Sequence, residues 1–176
     1  MNRLPVLSRA VGFAALSVAA LAGCGDFGGT GSTYTCPTAI TSPDLQTRAV
    51  IAPGNDPNDV LSAGQITTVN STCSRETGGV KAAVEIGITA MRTNTAVTQS
   101  TMPYFVAFAD NDGNVLGKQE FSVTVPFPPN DISATTVEKI TAHLPLKNLQ
   151  LGNIYTIVVG FQLTQPELNF NRAHLK

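Results

Sequence analysis

From residue 65 to residue 163 the chain repeatedly sets apolar side chains at every second position, the spacing that turns one face of a β-strand into a core. The clearest case is Val80, Ala82, Val84, Ile86, Ile88 and Ala90, which alternate with Lys81, Ala83, Glu85, Gly87, Thr89 and Met91. The even residues are expected to face a core and the odd ones solvent or a partner. Before them, residues 65–73 are rich in β-branched types and predict another strand. After them, residues 102–109 (Met-Pro-Tyr-Phe-Val-Ala-Phe-Ala) are apolar on both faces, as a central strand would be. Asp110-Asn111-Asp112-Gly113-Asn114 then predicts a turn, followed by a strand over 115–125, so the two strands form a hairpin. In that second strand Val115, Phe121, Val123 and Val125 oppose Leu116, Lys118, Glu120, Ser122 and Thr124. Pro126, Pro128 and Pro129 end it, because proline cannot donate to a ladder.

The alternation returns over 137–146 through Ile140, Ala142, Leu144 and Leu146, with Lys139, Thr141 and His143 opposite. Residues 148–153 turn the chain. A last strand over 154–163 puts Tyr155, Ile157, Val159, Phe161 and Leu163 on one face and Thr156, Val158, Gly160 and Gln162 on the other. Beyond Pro166 one helical turn is expected. Upstream, residues 36–64 are rich in proline and turn residues, with one short edge strand over 47–52 between prolines. About seven short strands without a long amphipathic helix predict an all-β fold, an antiparallel β-sandwich. The run from Val80 to Leu163 resembles the immunoglobulin-like or fibronectin-type modules of bacterial envelope proteins. Within it, Tyr104 to Leu116 is similar to the hairpin of the small FxLYD-type sandwich domains. The resemblance implies the fold and carries no catalytic or binding motif.

The N-terminus has a different pattern. Arg3 and Arg9 precede an uncharged apolar run from Ala10 to Leu21, the layout of a secretory signal. The run is shorter than the roughly 20 residues needed to span a bilayer. The tetrapeptide that follows, Leu21-Ala22-Gly23-Cys24, resembles the lipobox of bacterial lipoproteins. That resemblance implies a signal peptide over 1–23, a diacylglycerol on the Cys24 sulfur, cleavage before Cys24 and an acylated new amino terminus. The plainer alternative is a signal cut near Ala22 that leaves Cys24 an ordinary thiol. Two or more acyl chains give stable membrane anchoring where one does not. Gly25 rather than aspartate after the cysteine is similar to the sorting pattern for the outer membrane, which would place the domain in the periplasm. Residues 24–35 read as the lipidated cysteine and a glycine-rich tether whose root-mean-square span is roughly 18 Å. Residues 36–176 read as a single sandwich domain.

Composition narrows the function classes. The signal carries two of the 11 basic residues and none of the 12 acidic ones, so the remaining chain is acidic. Nucleic acid is not expected as a partner without a basic face. With Cys24 lipidated, Cys36 and Cys73 are an even pair in an oxidising compartment, which predicts one disulfide. It would pin the N-terminal segment to the first core strand and stabilise the fold by about 4 kcal/mol in the chain-entropy model. A redox or metal role lacks a Cys-x-x-Cys spacing and a nearby histidine.

Catalytic and metal chemistry is hard to assemble from these residues. The Asp110–Asn114 stretch has its glycine fourth and Phe121 twelfth, whereas an EF-hand needs glycine sixth and glutamate twelfth. Only two histidines, His143 and His174, are present, and neither a multi-histidine metal site nor a Gly-x-Ser-x-Gly elbow can be built. Carboxylate pairs are spatial rather than sequential and stay open, but the chain has no tryptophan and three tyrosines to hold a sugar. Asn70-Ser71-Thr72 matches the glycosylation acceptor pattern and reads as part of a threonine-rich strand. No cofactor, metal or enzymatic activity is expected. The sequence favours a membrane-anchored envelope lipoprotein acting as a non-enzymatic structural or adaptor subunit of a cell-envelope assembly. The alternative is a carrier of a small molecule, lipid or glycan. Candidate partner contacts are Val158 and Gly160 on the second face of the last strand and Leu168, Phe170 and Arg172 in the tail.

Overall fold

The computed structural model describes residues 35–51, 60–145 and 149–174. The expected signal, Cys24, most of the tether, the 52–59 turn and Leu146 lie outside the described residues. In chain order the elements are β1 (Thr38–Thr41), a 3₁₀ turn (Pro43–Leu45), β2 (Thr47–Ile51), β3 (Val60–Glu76), β4 (Gly79–Arg92), β5 (Gln99–Ala109), β6 (Val115–Pro126), β7 (Ser133–Leu144), a second 3₁₀ turn (Leu149–Ile154), β8 (Thr156–Phe161) and helix α1 (Gln165–His174). They form a sandwich of two four-stranded sheets. The first has the order β1-β8-β5-β6 and the second β2-β3-β4-β7. β4 pairs with β7 in one sheet and β5 with β8 in the other, so the chain crosses between the sheets from β4 to β5, from β6 to β7 and from β7 to β8.

The all-β sandwich is as the sequence predicts, and the structure refines it in three places. Among the described residues there are eight strands rather than about seven, because Thr38–Thr41, within the proline-rich segment, also pairs. The sandwich is not wholly antiparallel: β1 runs parallel to β8, with Thr38 opposite Thr156. Beyond Pro166 the chain forms a ten-residue helix rather than one turn. Pro166 sits in its first turn, where the missing N–H costs no internal bond. The Thr164 amide donates to the Glu167 carboxylate at 2.6 Å, as in a capping box.

The core follows the alternation. Val80, Ala82, Val84, Ile86, Ile88 and Ala90 are all buried, and they meet Met102, Tyr104, Val106, Phe108, Ile157, Val159 and Phe161 of the first sheet. Full burial of each large aliphatic side chain contributes about 1.5–3 kcal/mol. β5 lies between β8 and β6, as its two apolar faces require. The sheets also touch through one buried polar pair, the Ser62 and Ser100 hydroxyls at 2.7 Å. Gly64 marks a close approach: a Cβ there would run into the sulfur of Met102 and meet the Phe161 ring at 3.3 Å.

The hairpin turn is also as expected. The Asp110 carboxylate accepts from the Asp112 and Asn114 amides at 3.0 and 2.8 Å and from the Asn114 side-chain amide at 3.0 Å. Gly113 takes the positive φ of 82° that the turn demands. The bonds from Asn114 lead in holding the Asp110 carboxyl below its ordinary range. A carboxylate so occupied serves the turn.

Candidate functional site: two flanks of the sandwich

The two sheets meet along two flanks, and the candidate contacts predicted from sequence all belong to the first. At the β1–β2 flank the chain closes over itself. Cys36, just ahead of β1, is disulfide-bonded to Cys73 of β3, which ties the edge of one sheet to the other. Gly160 of β8 is buried: a Cβ there would lie 2.8 Å from Leu45 and 3.1 Å from the Phe105 ring. The Pro43–Leu45 turn therefore lies on the outer face of β8, where the sequence suggests a free surface, and Val158 beside it is half-buried. Helix α1 finishes the closure. Asn171, 6% exposed, donates to the Asp44 and Thr47 carbonyls at 2.9 and 2.8 Å. Arg172 pairs with Asp44 at 2.9 Å and Arg48 with Glu167 at 3.3 Å. Leu168 is half-buried; the side chain of Phe170 lies outside the described residues.

These placements show which of the candidate contacts are already used within the chain. Arg172 and Gly160 are engaged within the chain, and Leu168 is only partly open to a partner. No sequence signal announces this, since α1 docks through one backbone carbonyl of a turn and one of β2, both far away in sequence.

The β6–β7 flank is built differently. Among the described residues β6 pairs with β5 alone and β7 with β4 alone, so each carries a free edge. Residues 115–120 of β6 are exposed on both faces, with Val115 at 63% and Leu116 at 54%. A bulge sets this off: Phe108 faces Gly117 while Ala109 faces Val115, leaving Leu116 as the extra residue. Between this half of β6 and the end of β7 a cleft of about 260 Å³ reaches the core. Its floor is Val106, Phe108, Ile157 and Leu144, and its rim includes Leu116, Gly117, Gln119 and His143. The alternation groups Val115 with Phe121, Val123 and Val125; the bulge breaks that grouping, and a bulge has no reliable local signature in an apolar-polar string.

Charge at this flank is arranged around two rings. Lys118 lies 3.0 Å from Glu120, donates to Gln162 at 3.0 Å and stands 4.7 Å above the Phe105 ring. Tyr104, stacked on Phe121, donates its hydroxyl to Glu138 of β7 at 3.3 Å. Burial of the ring and the neighbouring Glu138 charge hold the Tyr104 phenol well above its ordinary range. An inward-pointing carboxylate on an edge strand also discourages indiscriminate strand pairing. His143 approaches the Glu76 carboxylate at 3.0 Å on the exposed surface. His174 closes α1 in sequence, and its side chain lies outside the described residues. Among the described residues no group of three metal-ligating side chains comes together, and no helix is long and apolar enough to cross a membrane.

One further feature joins the two sheets at their far end. Arg92, 6% exposed, donates to the carbonyls of Asp131, Thr95, Val97 and Pro128 at 2.7–3.1 Å and lies over the Phe127 ring. It locks the β4–β5 and β6–β7 connections together.

No protein-family model matches the chain, and no curated protein matches it. Two solved structures are similar to it. One is a DUF1425 family member from Shewanella sp. pv-4, which is 13% identical over 67% of this chain and 99% of that one, with a TM-score of 0.34. The other is the variable domain of the AgI/II polypeptide BspA of Streptococcus agalactiae, 16% identical over 92% of each chain with a TM-score of 0.19. At these scores neither likeness bears on function.

Proposed function

We propose that the protein is a lipid-anchored envelope lipoprotein, held through Cys24 in the outer membrane and facing the periplasm, whose sandwich serves as a non-enzymatic docking or adaptor module. The observation that carries this reading is the spacing between two cysteines. Cys24 closes the lipobox-like Leu21-Ala22-Gly23-Cys24, and Cys36, which is fastened to the sandwich, follows after a short glycine-rich stretch. A tether of that length keeps the domain within about 20 Å of the head groups. A partner on the same membrane is then favoured over a distant one, because tethering raises effective concentration.

In-cell crosslinking of the tagged chain, followed by detergent extraction and mass spectrometry, tests the reading against a Cys24→Ala control. The expected result is one envelope complex recovered with the anchored form only, and a Cys24→Ala form released from membranes. If Cys24→Ala stays with membranes after a carbonate wash, the lipid is not the anchor. The carrier reading has one specific support, the apolar-floored cleft between β6 and β7. Lipid or sugar co-purifying with the intact protein, with no protein partner, would favour it.

A further inference from the structure

The geometry points to β6 as a self-pairing edge: two copies of this chain join antiparallel through residues 117–121, centred on Gln119, to make one continuous eight-stranded sheet. The inference goes beyond the anchor and does not depend on it.

The case begins with what β6 leaves open. Among the described residues it pairs with β5 alone, so alternate residues direct their N–H and C=O groups away from the sheet, and residues 115–120 are exposed on both faces. Such an edge is a template for another strand. The side chains then choose the occupant. Lys118 and Glu120 flank Gln119 on one face. In an antiparallel pair centred on Gln119, Lys118 of each copy stands opposite Glu120 of the other, giving two opposite-charge pairs. In a parallel, in-register pair Lys118 would face Lys118, which is destabilising. The charges that guard this edge against arbitrary strands thus fit a second copy in one register.

One further match falls in the same register. Gly117 stands opposite Phe121 of the second copy, and a Cβ at Gly117 meets nothing within 4 Å, so the ring has room beside the cleft. A cross-strand aromatic over an edge glycine is a recognised stabilising pair. A dimer built this way is isologous and closes on itself.

The test uses full-length protein in detergent, studied by sedimentation velocity over a range of concentrations. Wild type is expected to dimerise. Lys118→Glu and Glu120→Lys are each expected to weaken the dimer by about tenfold or more, since each turns both attractive pairs into repulsive ones. Mixed together, the two single variants regain the dimer, because an edge carrying two carboxylates then meets an edge carrying two ammonium groups; the double swap regains it alone. Recovery on mixing also shows that the variants fold. Independently, Gln119→Cys in native membranes is expected to give a covalent dimer on mild oxidation, because directly opposed strand residues sit at disulfide distance. The inference is overturned by a wild type monomeric up to about 1 mM, by a dimer indifferent to both charge reversals, or by no crosslink from Gln119→Cys. An extended segment of another protein crosslinked at that position would overturn it too.

Discussion

The two flanks of one sandwich solve the edge problem in opposite ways. At the β1–β2 flank the chain ties its edge strands down with a disulfide, a turn, a helix and two ion pairs. At the β6–β7 flank it leaves both edges free and relies on charged side chains and a bulge. The first arrangement adds stability and the second preserves access. Of the contacts that sequence reading favours for docking, the fold buries Gly160 and pairs the exposed Arg172 with Asp44, and the second accessible region is one whose alternation looks ordinary.

Breaking the closed flank should cost most where a covalent tie is lost. The Cys36→Ser/Cys73→Ser pair is expected to lower unfolding free energy by about 4 kcal/mol, read from urea denaturation, with an m-value that rises because the unfolded chain is no longer cross-linked. A loss under about 1 kcal/mol would mean that the non-covalent contacts already hold β1 in place. Next comes Arg92→Met, which leaves four carbonyls without their donor and is expected to cost about 3 kcal/mol. Arg92→Lys should recover only part of that, since a single ammonium cannot reach all four. Asn171→Ala is a gentler cut at the closed flank. It frees the Asp44 and Thr47 carbonyls, costs about 1–3 kcal/mol and speeds amide exchange in β2 ahead of β4.

At the open flank, Lys118→Ala or Glu120→Ala should change the stability of the single sandwich by less than about 0.5 kcal/mol, because exposed pairs contribute little. If these changes cost as much as Asn171→Ala, the two flanks do not differ in kind.

Alkaline pH offers a subtler comparison. Burial and Glu138 raise the Tyr104 phenol above its unfolded value near 10, so the folded state retains the proton that the unfolded state gives up. The stabilisation is fully present below about pH 10 and is lost as pH rises through the higher folded value. Ultraviolet titration should show Tyr104 ionising only with unfolding; replacing Glu138 by Gln removes a raising influence and should bring that ionisation down.

Much of the fold was legible because strand periodicity is local. The burial of Val80 through Ala90 on one face follows from their spacing, and the central place of β5 follows from its two apolar faces. The Asp110–Asn114 turn follows from short polar residues that bond their own backbone, with a glycine where φ must be positive. The Cys36–Cys73 bond follows from counting cysteines once Cys24 is set apart. What stayed hidden were non-covalent neighbours distant in sequence. Gly160 reads as space for a partner until Leu45 is found above it, and Arg172 reads as free until Asp44 is found beside it.

The sequence by itself determined which residues alternate, where the hairpin turns, that the fold is an all-β sandwich and that two cysteines can pair. Tertiary structure alone decided that β1 runs parallel to β8, that α1 docks on one flank and that, among the described residues, β6 and β7 keep free edges at the other. The physical reason lies in the reach of each signal. Side-chain alternation and turn chemistry act within a few residues, whereas the choice of strand partner and the covering of an edge are set by the shape left over once both sheets have packed.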